Sequence, residues 1–183
     1  MNRLFGLALA VPFLIVACNR AAEEPPAPEG PQPRAYGTLA QVMQGIPFPA
    51  SNIIFDAQST DPGAAAKEGA SDPAGQGATA TYAGVYGGWV AVENAAIALQ
   101  ETANLIMIPG RTCQNGRPVP TDQADFQMWA QNLAAAGDAA LKAARSKNLD
   151  AMVDVSGTLS DACAMCHEKY RDTPNQPTDR CTP

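Results

Sequence analysis

Between positions 85 and 106 the apolar residues Val85, Trp89, Val92, Ala96, Leu99, Ala103 and Ile106 recur at alternating spacings of four and three. That period lines one face of an α-helix and does not fit the two-residue alternation of a half-buried strand. A helix with one apolar face must bury it against other elements. Three further segments supply them. Residues 36–57 carry Leu39, Val42, Met43 and Ile46, then Ile53 and Ile54, but Pro47 and Pro49 interrupt the run. This first helix is expected in two pieces, with Ser51 capping the second. A third helix is expected from about Asp122 to Lys147, with Phe126, Ala130, Leu133, Gly137, Ala140 and Ala144 inward. The fourth starts near Leu149 and places Met152, Leu159, Cys163, Cys166 and Tyr170 on one stripe. The pattern predicts an all-α, antiparallel up-down-up-down four-helix bundle.

The chain opens with Arg3 and an apolar run to Ala17, which reads as an export signal over residues 1–17. The run is shorter than the roughly 18 to 20 residues a bilayer span requires. It ends in Ile15, Val16, Ala17 and Cys18, a sequence resembling the lipobox at which bacterial lipoproteins are cleaved and acylated. A periplasmic protein anchored to a bacterial membrane through Cys18 is therefore expected, the alternative being a plain secretory signal with an incidental cysteine. Residues 18–35 contain five prolines and no large apolar side chain, as a tether would. The bundle domain is placed at 36–172, with a long Gly/Pro/Ser-rich loop at 58–80 and a tail at 173–183. Loss of the signal removes one basic residue and leaves 11 Lys plus Arg against 18 Asp plus Glu, a formal charge of −7. Nucleic acid and anionic surfaces are poor partners for such a chain.

The fourth helix carries the chemistry. "CAMCH" sets Cys163 and Cys166 three residues apart and follows them with His167, the sole histidine. Thiols at this spacing share one side of a helical turn, where each can add to a haem vinyl group while the next residue offers its imidazole to the iron. C-x-x-C-H is the attachment signal of a c-type haem. A thioredoxin-like pair would be expected beside a strand-helix-strand unit, and a zinc site would need further Cys or His ligands. A single histidine excludes bis-histidine ligation, so the sixth iron position is either a methionine or open. Met165 lies within the attachment turn, and Met152 stands about 22 Å up the same helix at 1.5 Å per residue. Met43, Met107 and Met128 remain, because in the expected topology all three fall at the pole that holds the haem.

A helical bundle ending in C-x-x-C-H continued as "CHEKYR" resembles the cytochrome c′ family and its low-spin relatives, over roughly residues 36–172. The resemblance implies one haem c attached covalently through Cys163 and Cys166, with His167 as proximal ligand and Arg171 beside the proximal pocket. It also implies Met43 as sixth ligand, since low-spin relatives use a methionine early in the first helix. Read from the residues alone, Met43 is equally a core side chain, and Arg171 a solvated last-turn cation complementing the helix dipole. The chain departs from the family pattern in its kinked first helix, its 58–80 loop and its "TCQNG" insertion. Trp89, Trp129, Phe126 and Tyr170 read as core or pocket wall.

The carboxylates read as scattered over outer faces without pairing, and no Ser/His/Asp set, Walker loop or dinucleotide fingerprint is present. The expected function is non-enzymatic one-electron transfer with periplasmic or membrane redox proteins, as a monomer or homodimer. The alternatives are a five-coordinate haem protein that binds nitric oxide or carbon monoxide, and a haem subunit or sensor of a periplasmic oxidoreductase. Two cysteines are left over. Cys113, between the second and third helices, and Cys181, in the tail, fall at the haem pole and are expected to form a disulfide in an oxidising compartment.

Overall fold

In the computed structural model, residues 30–64, 87–172 and 177–182 are described. The chain divides between Gln32 and Pro33, and the architecture below is that of the second unit, Pro33–Pro183. The signal at 1–17, Cys18, most of the tether and the greater part of the 58–80 loop lie outside the described residues, as does Val85.

A capping box opens α1 (Leu39–Gly45): the Gln41 N–H donates to Thr38 Oγ1 at 3.3 Å, and the Thr38 N–H donates to Gln41 Oε1 at 2.9 Å. Ile46 ends α1, its N–H still bonded to the Val42 carbonyl, and Pro47 immediately begins α2 (Pro47–Asp56). The split of the first helix is as expected, but Ser51 is not its cap. Proline at the first helical position lacks only an N–H that would be unpaired there anyway, so the helix starts at Pro47 rather than after the prolines. Ser51 lies inside α2 and donates to the Phe48 carbonyl at 3.0 Å.

The long helices are α3 (Gly88–Ile106), α4 (Ala124–Arg145) and α5 (Leu149–His167). Gly88 enters α3 at φ +62°, where a Cβ would stand 2.9 Å from the Pro62 carbonyl oxygen. Gly137 on α4 has a comparable reason: a Cβ there would meet Gln100 Cγ at 2.8 Å and the Ala96 carbonyl at 3.0 Å. Its absence lets α3 and α4 approach closely. α4 starts two residues later and stops two earlier than expected, because Lys147 turns left-handed at φ +51° and Asn148 caps α5 by accepting from the Ala151 N–H at 3.0 Å. Beyond His167 the helix widens into a π-helical turn, Glu168–Asp172, and the tail contributes a 3₁₀ turn, Pro177–Asp179.

The protein is helical, with four helices packed together: α3 on α4, α4 on α5, and α2 against both α3 and α5. Among the described residues the one β-bridge joins Thr112 to Pro118 within the α3–α4 loop. Two apolar clusters fill the interior. One gathers Ile54, Val92, Leu99, Ala140, Met152 and Leu159. The other holds Ile106, Cys113, Val119, Phe126, Ala130, Tyr170 and Cys181, with Leu39, Val42, Met43 and Cys166 packed on it. The start of α1, the end of α3, the start of α4 and the end of α5 thus share the second cluster.

Candidate haem-binding cavity

Against this second cluster lies a cavity of about 440 Å³, within the usual range for cofactor sites. Its wall includes Met43 from α1, Phe48 and Phe55 from α2, Phe126 and Trp129 from α4, Cys163, Cys166 and His167 from α5, and Tyr170 and Arg171 from the π-turn. All five site residues read from the sequence line this one space. Among the described residues the other methionines do not: Met152 is fully buried in the first cluster, while Met128 and Met165 are 48% and 41% exposed. Met107 packs on the second cluster without lining the cavity.

Cys163 and Cys166 are half-buried and unbonded. Burial pushes the Cys166 thiol up to about 11, with Cys163 and Asp125 adding to the effect, and burial also raises Cys163 despite the opposing charge of Arg171. Burial, then Arg171, lowers the pKa of His167, which favours a neutral imidazole able to act as a ligand. Protonated thiols are the opposite of the low-pKa nucleophile of a thioredoxin-like site. Nor do three His, Cys, Asp or Glu side chains converge as a metal cluster among the described residues.

Around the cavity, Tyr170 is 4% exposed and meets Phe126 and Trp129 edge-on at centroid distances of 5.6 and 5.7 Å. Its hydroxyl donates to Asp125 Oδ1 at 2.7 Å, and Lys169 pairs with the other oxygen of that carboxylate. Sequence reading did not anticipate this contact at Asp125. Its position in the first turn of the third helix, at the pole where the fourth ends, was the available signal. Arg171 is half-exposed and makes two bonds to Asp172, at 2.6 and 2.9 Å, while also lining the cavity.

The expected disulfide is present, joining Cys113 to Cys181 with Cα atoms 6.5 Å apart. It fastens the tail beside the cavity. Asn115 Nδ2 donates to the carbonyls of Pro177, Thr178 and Arg180, and the Cys181 N–H donates to the Tyr170 carbonyl at 2.9 Å. Sequence reading missed Asn115, and also Arg111 and Arg180.

A largely apolar cavity presenting two thiols, one neutral imidazole and a thioether has the donor set of a c-type haem site. Arg171 and Arg180 also line it, and among the described residues no carboxylate does, which suits a group whose own charged substituents are carboxylates. The class that this donor set fits is a helical c-type haem protein. Residues 116–171, less than a third of the chain, match the family model for cytochrome C′. It spans α4, α5 and the cavity side of the π-turn, including Cys163, Cys166, His167 and Arg171 but not Met43. No curated protein and no solved structure matches the chain.

Proposed function

We propose that the protein is a periplasmic monohaem cytochrome that transfers single electrons, with haem held by Cys163 and Cys166 and ligated by His167 and Met43. The supporting observation is that these four side chains, from α1 and α5, line one cavity, and that Met43 is the methionine on its wall among the described residues. The haem would supply the redox chemistry. The chain would supply the Cys163 and Cys166 thiols for attachment, the His167 imidazole and the Met43 thioether as ligands, and an apolar surround that restricts water. Phe48, 65% exposed at the cavity wall, gives a redox partner an apolar rim to approach.

The shared second cluster at the helix ends favours an up-down-up-down bundle with haem at that pole. Export and acylation at Cys18 rest on the sequence of the leader. Among the described helices none is long and apolar enough to cross a membrane; the acyl anchor is proposed on the lipobox-like sequence ending at Cys18 alone.

Spectra of Met43→Ala test the ligation. The wild type is expected to be low-spin in both oxidation states, and the variant high-spin and able to bind carbon monoxide when reduced. A wild type that is already high-spin would establish the gas-binding alternative instead. Covalent attachment is read separately: haem that extracts into acid acetone refutes it.

A further inference from the structure

Two buried side-chain nitrogens lack a hydrogen-bond partner among the described residues, Gln100 Nε2 and Arg180 Nε. Gln100 belongs to the tight α3–α4 contact at Gly137. Arg180 instead lines the haem-binding cavity. Its Nη1 makes a long bond of 3.4 Å to Gln114 Oε1. A buried, unpaired guanidinium N–H is costly, and an acceptor supplied by a bound group would relieve that cost.

The backbone carrying Arg180 is fixed on both sides. Cys181 is bonded to Cys113 and to the Tyr170 carbonyl, and the Arg180 carbonyl accepts from Asn115 at 3.0 Å. Arg171 already spends two donors on Asp172, whereas Arg180 keeps Nε free. Among the described residues the cavity wall bears two arginines and no carboxylate, although Arg171 is paired with Asp172 just outside it.

We infer that Arg180 is a carboxylate-binding residue of the cavity, donating from Nε to a propionate of the haem. The inference rests on the haem reading above. The disulfide-held tail then serves as a strap that delivers a fixed cation to the cofactor's anionic edge. A cation so placed favours the reduced iron, which carries one positive charge fewer, and raises the reduction potential.

The test uses the full-length holoprotein with Arg180→Gln and Arg180→Lys, reading covalent haem content, midpoint potential and the propionate bending band in resonance Raman spectra. Arg180→Gln should retain covalent haem, lower the potential and displace the band. Arg180→Lys should restore the potential by keeping the charge, while the band stays displaced because the guanidinium fork is gone. A wild-type band in either folded variant overturns the inference, and if Arg180→Gln does not fold, the band of Arg180→Lys decides alone. Absence of covalent haem from the wild type would overturn the haem reading itself, a result distinct from unchanged bands in haem-loaded variants.

Discussion

Arg111 is 5% exposed, and its bonds run to carbonyls rather than to a carboxylate. Nε and Nη2 donate to Leu105 at 3.1 and 2.9 Å, and Nη1 donates to Gly37 at 2.6 Å. Leu105 belongs to the last turn of α3, where carbonyls lack helical partners and the helix dipole is negative. The guanidinium therefore caps α3 and ties it to the residue just before the Thr38 cap. Arg111→Met should lower stability by about 1–3 kcal/mol, because the Gly37 carbonyl loses its side-chain donor and the Leu105 carbonyl keeps only backbone N–H contacts such as that from Ile108 at 3.3 Å. Urea unfolding measures this, and an unchanged midpoint would refute the role. No local pattern in "PGRTCQNG" announces it, since the Gly37 carbonyl lies 74 positions away. The proposed haem-attachment residues are legible for the opposite reason: Cys163, Cys166 and His167 fall within one helical turn, so spacing alone picks them out.

At the scale of elements, each long helix was readable because its apolar stripe is buried as one face, as with Val92, Ala96, Leu99 and Ile106 on α3. Ends were less readable where one residue type supports two outcomes. Pro47 breaks α1 and equally begins α2, and only packing selects the second role. The stripe of the fourth helix announced an inward Tyr170 but not the π-turn after His167, which sets Tyr170 in the second cluster and brings Lys169 onto Asp125. Asp125 thereby joins the start of α4 to the end of α5. Bonds from Lys169 first, then Tyr170, hold its carboxyl below the usual 3.8. A carboxylate whose folded pKa is depressed contributes stability above its unfolded pKa and loses that contribution as pH falls through the folded value. Asp125→Asn should therefore be less stable than wild type above about pH 5, with the difference shrinking below about pH 4. A difference independent of pH between 3 and 6 would count against the pairing.

For the whole molecule, the consequential link is the one between Cys113 and Cys181, because it ties a loop and a tail separated by 68 positions to the cluster that walls the cavity. Both cysteines are buried, at 3% and 7% exposure. Their pairing was legible only through topology: the expected helix order put both at one pole, and the export expected from the leader would permit the bond. Closing a loop of that length restricts the unfolded chain by about 4 kcal/mol in the entropy model. Native contacts contribute separately, since Asn115 and the Tyr170 carbonyl also hold the tail. The two sources separate in denaturant. Replacing both residues, Cys113→Ser with Cys181→Ser, frees the unfolded chain to expand, which raises the dependence of unfolding free energy on urea as well as lowering the midpoint. Loss of native contacts alone would lower the midpoint and leave that slope unchanged. The double variant should show both changes while Cys163 and Cys166 remain available for attachment. A wild-type midpoint and slope would mean that the strap does not constrain the chain, and that Arg180 is not held against the cavity by the disulfide.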